Sequence, residues 1–253
     1  MDIADHYALH SGSAPLASGF LAKLTVHDLG VVRVPSGKVG ACDPFVDLEN
    51  PVVVRVPPGD YPVRVTIADV SEEQDGSHMR EAYLSLVMSD ETPTLVEAAP
   101  TLEGEPLAGE VYGVSVDAGT VAFVDADSVT RCMPEDSTSW YEDVFDTDYD
   151  PNSWFALMDA YKPLPAGLAN VVMPRATAGE NVVLAHSGWG DGFYPLLQTK
   201  DSEGNVTALH IDLLVVGKFD DAPLSPMSEQ APPTGSADAD PQKNSWLSKL
   251  LGR

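Results

Sequence analysis

Short runs in which apolar residues recur at every second position, each cut off by proline or glycine, govern what this chain can fold into. Val63, Val65 and Ile67 alternate with Arg64 and Thr66, the period of a strand with one face turned inward. LGVVRV from Leu29, the turn Pro35-Ser36-Gly37 and KVGACDPF predict a hairpin that stops at Asp43-Pro44, where proline removes a ladder donor. VVVRV (52–56), the turn PPGD and YPVRVTIA from Tyr61 predict a second hairpin, and the runs on either side of Ala118-Gly119 a third. MREAYLSLVM (79–88) can be read as strand or helix, and its aromatic residue and neighbouring strands favour a strand. Further strand-like runs occupy 170–173, 181–186, 193–199 and 206–219, with DSEGN (201–205) as the last hairpin turn, whereas 89–109 reads as irregular. Between 137 and 162, Trp140, Tyr141, Val144 and Phe145, then Trp154, Phe155, Leu157, Met158 and Tyr161, recur near helical spacing. The expected architecture is mainly β: an antiparallel β-sandwich or open barrel of hairpins, with a short helical insertion near 137–161.

A chain of 253 residues can bury a core without metal or disulfide staples. Residues 1–219 are expected to form one β-rich domain. The Pro/Ser/Ala/Asp-rich stretch 220–243 buries too little apolar area to offset its ordering entropy and reads as a flexible linker. Residues 244–253 end the chain with Trp246, Leu247, Leu250 and Leu251 on one helical face, a candidate partner-docking segment.

Thirty-nine acidic against 14 basic side chains give a formal charge of -25. That balance opposes nucleic-acid phosphates and anionic membrane surfaces, and it would steer a basic protein partner inward. Cys42 and Cys132 lack disulfide-framework or zinc spacing, and the first twenty residues do not read as a signal peptide, so the expected location is the cytoplasm. No run of eighteen apolar residues predicts a membrane span.

Several residues are candidates for chemistry, each with a plainer structural use. Gly188, Gly190 and Gly192 in HSGWGDGFY can expose successive N–H groups, with Trp189 free to stack a flat ring; the same residues suit a bulged strand connection. Ser187 lacks the glycine-framed elbow of a serine hydrolase. Asp43, Asp117, Asp125 and Asp191 lie at strand ends and could converge on a hard cation, although turn chemistry alone also puts aspartate there. Asp146, Asp148, Asp150 and Asn152 follow the opening of a calcium loop, but Pro151 stands where glycine is needed and Leu157 where the bidentate glutamate belongs.

Taken in order, GKVGACDPF, VPPGDYPVRV, MREAYLSL, YGVSVDAGTVAFVD, HSGWGDGFYPLL and TKDSEGNVTALHIDLLVV resemble the bacterial family labelled "domain of unknown function 4241", over roughly residues 20–218. Asp43-Pro44, Val116 to Thr120 with Asp125, and Ser187 to Gly192 are the most specific pieces. Ile211-Asp212-Leu213-Leu214 departs from the Asp-Phe expected there. The resemblance implies one domain and carries over no activity, cofactor or catalytic residue. Two functional expectations stand: a cytoplasmic protein that docks or neutralises a basic partner, in the manner of a toxin-immunity pair, or a metal-assisted hydrolase of phosphoester or nucleotide-like substrates using the strand-end aspartates. The ligand-binding candidates are Asp43, Asp117, Asp125, Ser187, Trp189 and Asp191; no cofactor is named.

Overall fold

The alternating runs become half-covered strands, and the runs without alternation become strands buried on both faces. The structure, a computed structural model, describes residues 1–147, 150–217 and 225–227. Among these the strands are β1 (Gly12–Pro15), β2 (Leu21–Val34), β3 (Lys38–Cys42), β4 (Val52–Arg55), β5 (Gly59–Asp69), β6 (Met79–Val87), β7 (Leu95–Ala98), β8 (Glu110–Val111), β9 (Gly113–Val116), β10 (Thr120–Asp125), β11 (Leu168–Val172), β12 (Asn181–His186), β13 (Gly192–Lys200), β14 (Val206–Asp212) and β15 (Ser225–Pro226). The larger sheet runs β1-β2-β5-β6-β14-β13-β7, with β9 also paired to β13; the smaller runs β11-β12-β10-β3-β4. Strand pairing within both is antiparallel, and β15 and β8 form a separate parallel pair. The fold is mainly β, antiparallel sheets with a curled half-barrel and few helices.

Three layers explain the composition of each strand. Val63, Val65, Leu84, Leu86, Leu209 and Ile211 of the larger sheet meet Val121, Phe123, Val183 and Ala185 of the smaller one. The alternate residues Ala122, Val124, Val182 and Leu184 face a second core with Phe45, Met133, Trp140, Phe145, Trp154 and Met158. Strands β10 and β12 therefore have no polar face, and they read as TVAFVD and NVVLAH because both sides exclude water. The third layer is helical. It comprises α1 (Ala126–Cys132), a 3-10 turn at Ser137–Ser139, a π-type turn at Tyr141–Phe145 and α2 (Trp154–Asp159). This layer contains the helical insertion expected near 137–161 and begins earlier, because Asp125 caps Ser128 N–H and starts a helix directly from the end of β10.

The three expected hairpins are corners. β2 pairs with β1 and β5 whereas β3 pairs with β4 and β10, so Pro35-Ser36-Gly37 carries the chain from one sheet to the other. The same holds between β4 and β5, and between β9 and β10. A tight polar turn suits either geometry, and only the partner of each strand decides between them. The turn at 201–205 does join a hairpin, β13 to β14, and 79–87 is a strand as expected. The irregular stretch 89–109 contains β7, whose partner β13 lies a hundred residues away.

Two asparagines close the half-barrel. β2 bulges between Asp28 and Val31, which frees backbone groups facing the smaller sheet. Asn181 accepts from Arg33 N–H (3.0 Å) and donates to Val31 O (2.7 Å), while Asn170 donates to Leu29 O (2.8 Å).

Candidate functional site

Two aspartates fasten the corners reciprocally. Asp43 follows β3 and is fully buried; its Oδ2 accepts from Asp117 N–H (3.0 Å) and Ala118 N–H (2.7 Å), and its Oδ1 from Thr120 Oγ1 (2.7 Å) and Phe45 N–H (3.2 Å). It thus holds the corner that enters β10. Asp125 ends β10 and holds the corner that enters β3, its Oδ2 accepting from Ser36 N–H (2.9 Å) and Oγ (2.6 Å). Because β3 and β10 are antiparallel, with Ala122 opposite Cys42 and Asp125 opposite Val39, the two carboxylates sit at opposite ends of one ladder. Burial raises the Asp43 carboxyl above its usual value, a shift that the four donors oppose without cancelling.

Asp43, Asp117, Ser187, Trp189 and Asp191 do gather at one end of the sandwich. Val116 pairs with Gly192 and Thr120 with His186, so the 117–119 corner and the 187–191 loop cross between the sheets side by side, joined by Ser187 N–H to Gly119 O (3.0 Å). Asp125 stands apart from them. Among the described residues, no group of three or more His, Cys, Asp or Glu side chains is arranged to hold a metal ion. Of the two uses open to the four aspartates, turn chemistry accounts for Asp43 and Asp125, which spend their oxygens on backbone amides and hydroxyls at opposite ends of the β3–β10 ladder, while Asp117 and Asp191 are exposed.

The 187–191 loop is held rigid from inside. Ser187 is buried and donates to Gly190 O (2.7 Å), which also accepts from Tyr194 OH (2.7 Å). Gly188 has φ +68°, and a Cβ there would stand 2.6 Å from Glu81 O. This frame presents Trp189, 54% exposed, with the Arg80 guanidinium carbon 5.4 Å from the ring centroid and the His78 ring edge-on at 6.1 Å. Arg80, His78 and Glu81 escaped sequence reasoning because they lie more than a hundred residues before the loop and carry no motif. The cross-strand partners of β6 are what bring them there.

Burial pushes the Glu81 carboxyl up to about 7 from an ordinary 4.5, against a smaller pull from Arg80. A raised folded value means that stability from this group is present below pH 4.5 and is lost as pH rises through about 7. Glu81→Gln should therefore be more stable than the parent by about 2 kcal/mol at pH 8 and gain little at pH 4.5, as read by denaturant titration at the two pH values. Equal gains at both would remove burial of the charge as the cause.

The helical layer meets the same end of the molecule. Ala118 of the corner packs against the second core, and Gly167 N–H donates to Met158 O at the end of α2 (2.8 Å) while bringing its backbone against the His186 ring. Residues 126–160 hold nine Asp and Glu against Arg131 alone. The layer therefore holds a dense share of the acidic excess. Within the Asp146–Asn152 stretch, Asp150 Oδ1 is used locally, accepting from Asn152 N–H (2.8 Å).

A serine and a histidine do meet elsewhere: Ser85 Oγ lies 2.8 Å from His210 Nδ1. The pair is sealed, with Ser85 0% and His210 1% exposed, and His210 Nε2 faces Thr199 Oγ1 (3.0 Å) where a catalytic dyad would have a substrate proton. Trp246, Leu247, Leu250 and Leu251, like Asp148, lie outside the described residues.

Comparison with curated proteins and with solved structures returns no match to either. A family model does match, over residues 32–211, a span that holds both aspartate clamps, both crossing corners and the Trp189 loop. On that match the chain belongs to the family described as "Protein of unknown function (DUF4241)".

Proposed function

We propose that this protein is a binding module for a positively charged protein partner, received at the Trp189 end of the sandwich. One observation carries the reading: a largely exposed tryptophan stands on a loop whose shape is fixed by two hydroxyls on Gly190 O, so little ordering entropy is lost when a partner covers it. Asp117 and Asp191 flank that loop, the acidic helical layer adjoins it, and a net charge of -25 steers a cation from a distance. A reducing, cytoplasmic setting belongs to the proposal and accords with Cys42 and Cys132, both buried and unpaired. No helix among the described residues is long and apolar enough to cross a membrane.

The test is affinity capture from the native cells across roughly 0.05 to 0.5 M salt, followed by titration of the captured protein in pure form. A basic protein released by salt is the expected result, with Trp189→Ala weakening its Kd about 30-fold, or about 2 kcal/mol, while leaving the unfolding midpoint in place. Full affinity in Trp189→Ala, or a captured partner that is not basic, would sink the reading. The tail is proposed as a second contact through Trp246, Leu247, Leu250 and Leu251, and unchanged affinity after deletion of 244–253 would remove it.

A further inference from the structure

The outer face of the larger sheet carries a polar cluster under the start of the chain. Tyr83 opposite Thr66, and His210 opposite Ser85, point away from the inter-sheet core that takes Leu84, Leu86, Leu209 and Ile211. Residues 1–10 cross this face. The His6 ring lies edge-on 4.8 Å from the His210 ring and 5.2 Å from Tyr83, Leu9 N–H donates to Thr66 Oγ1 (3.0 Å), and Ile3 packs on the small cluster of Val96, Val111 and Leu197.

We propose that residues 1–10 form an acid-released strap, closed over this face at neutral pH and lifting from it when His6 and His210 take up protons. The geometry leaves no place for the added charge. His6 Nε2 is buried without a hydrogen-bond partner, so a proton there would have no acceptor. His210 is enclosed by the hydroxyls of Ser85 and Thr199, the latter also bonded to Thr207 Oγ1 (2.7 Å), and a second imidazolium would face the first at ring-contact distance. Burial, with His10 adding to it, holds His6 down to about 4, and burial with His6 adding holds His210 well below its usual value. Depressed values in the closed state mean that its stabilisation is complete above about 6.5 and is lost as pH falls toward 4.

Asp212, opposite Tyr83, works in the other direction. Burial raises it to about 7, so exposure would favour its ionised form and release through this group grows with pH, an opposing effect as large as that of His6 between pH 5 and 7. The amino terminus, Asp2, Asp5, Tyr7 and His10 on the strap, and Tyr83 and Arg64 on the strands beneath, are further titratable and charged groups around it. The hinge is built in: Leu9 (φ +62°), three residues before β1, and Gly12 (φ +136°), its first residue, both take positive-φ backbone, so the strap can swing while the rest of β1 stays paired to β2.

Hydrogen exchange on the full chain, corrected for intrinsic rates, tests this at pH 7 and pH 5. In Asp212→Asn, where the opposing carboxyl is gone, the opening constant of residues 1–10 should rise at least about 20-fold on going to pH 5 from His6 alone, while β5, β6 and β14 keep their protection. Adding His6→Phe, or His6→Gln should the first fold poorly, should take about 20-fold off that rise, and restoring Asp212 should flatten it. Loss of protection by strap and sheet together, an unaltered response in the His6 variants, or no response in Asp212→Asn would each overturn the proposal.

Discussion

Replacing Asp43 by asparagine should cost about 4 kcal/mol of unfolding free energy and lower Tm by roughly 10 °C for a chain of this size. The substitution is nearly isosteric, so the loss reads hydrogen bonding alone. Both carboxylate oxygens accept, two bonds each, from three backbone N–H groups and the Thr120 hydroxyl. An amide offers one acceptor and turns an NH2 toward donors, leaving two of the four unmatched in a site closed to water. Asp43→Ala should cost a similar amount. An Asp43→Asn variant melting within about 2 °C of the parent, by calorimetry, would show that the corner holds its shape without the carboxylate. Because the clamp sits behind the Trp189 loop, the same variant should also bind a partner more weakly at temperatures well below its melting point.

Gly188→Ala should be nearly as damaging, at about 3 kcal/mol. The position combines two penalties that neither relaxation nor solvent relieves: φ is +68°, and the added methyl would meet Glu81 O at 2.6 Å and Val215 Cγ2 at 2.8 Å. Backbone on one side and packed core on the other leave no direction in which to yield. Gly190→Ala is the internal control. It shares a positive φ, +100°, but has nothing within 4 Å of a Cβ, so its cost should be limited to backbone strain, about 1 kcal/mol. Equal midpoints for the two variants in urea would place the whole effect in the dihedral and none in the close approach.

The contrast between strand content and strand partnership explains what was legible in the residues. Alternation at Val63, Val65 and Ile67 correctly announced a strand with a core face, and the stop at Asp43-Pro44 correctly ended β3. The turns at Pro35-Ser36-Gly37 and Ala118-Gly119 were read as hairpins because local chemistry is the same for a chain that folds back within a sheet and one that steps to the next. Distinguishing them needs the long-range facts that β3 sits beside β10 and β9 beside β13. The same limit applied to the site. Strand-end aspartates were visible, but that Asp43 and Asp125 each fasten the other's incoming corner depends on an antiparallel ladder eighty residues apart in sequence. Trp189 stood out by its glycines, whereas Arg80 and His78 became neighbours through the pairing of distant strands.

The pairing of β6 with β14 has a consequence for how the molecule is made. Residues 83–87 lie at the centre of the larger sheet, yet their partner is 208–212. During synthesis the segment AYLSLV therefore leaves the ribosome with one open edge and keeps it through more than a hundred further residues, a period in which it could pair with a neighbouring nascent chain. The surplus of negative charge distributed over the intervening sequence works against such encounters by mutual repulsion between copies. Acidity thus acts on the molecule before it is finished, by keeping unfinished copies apart.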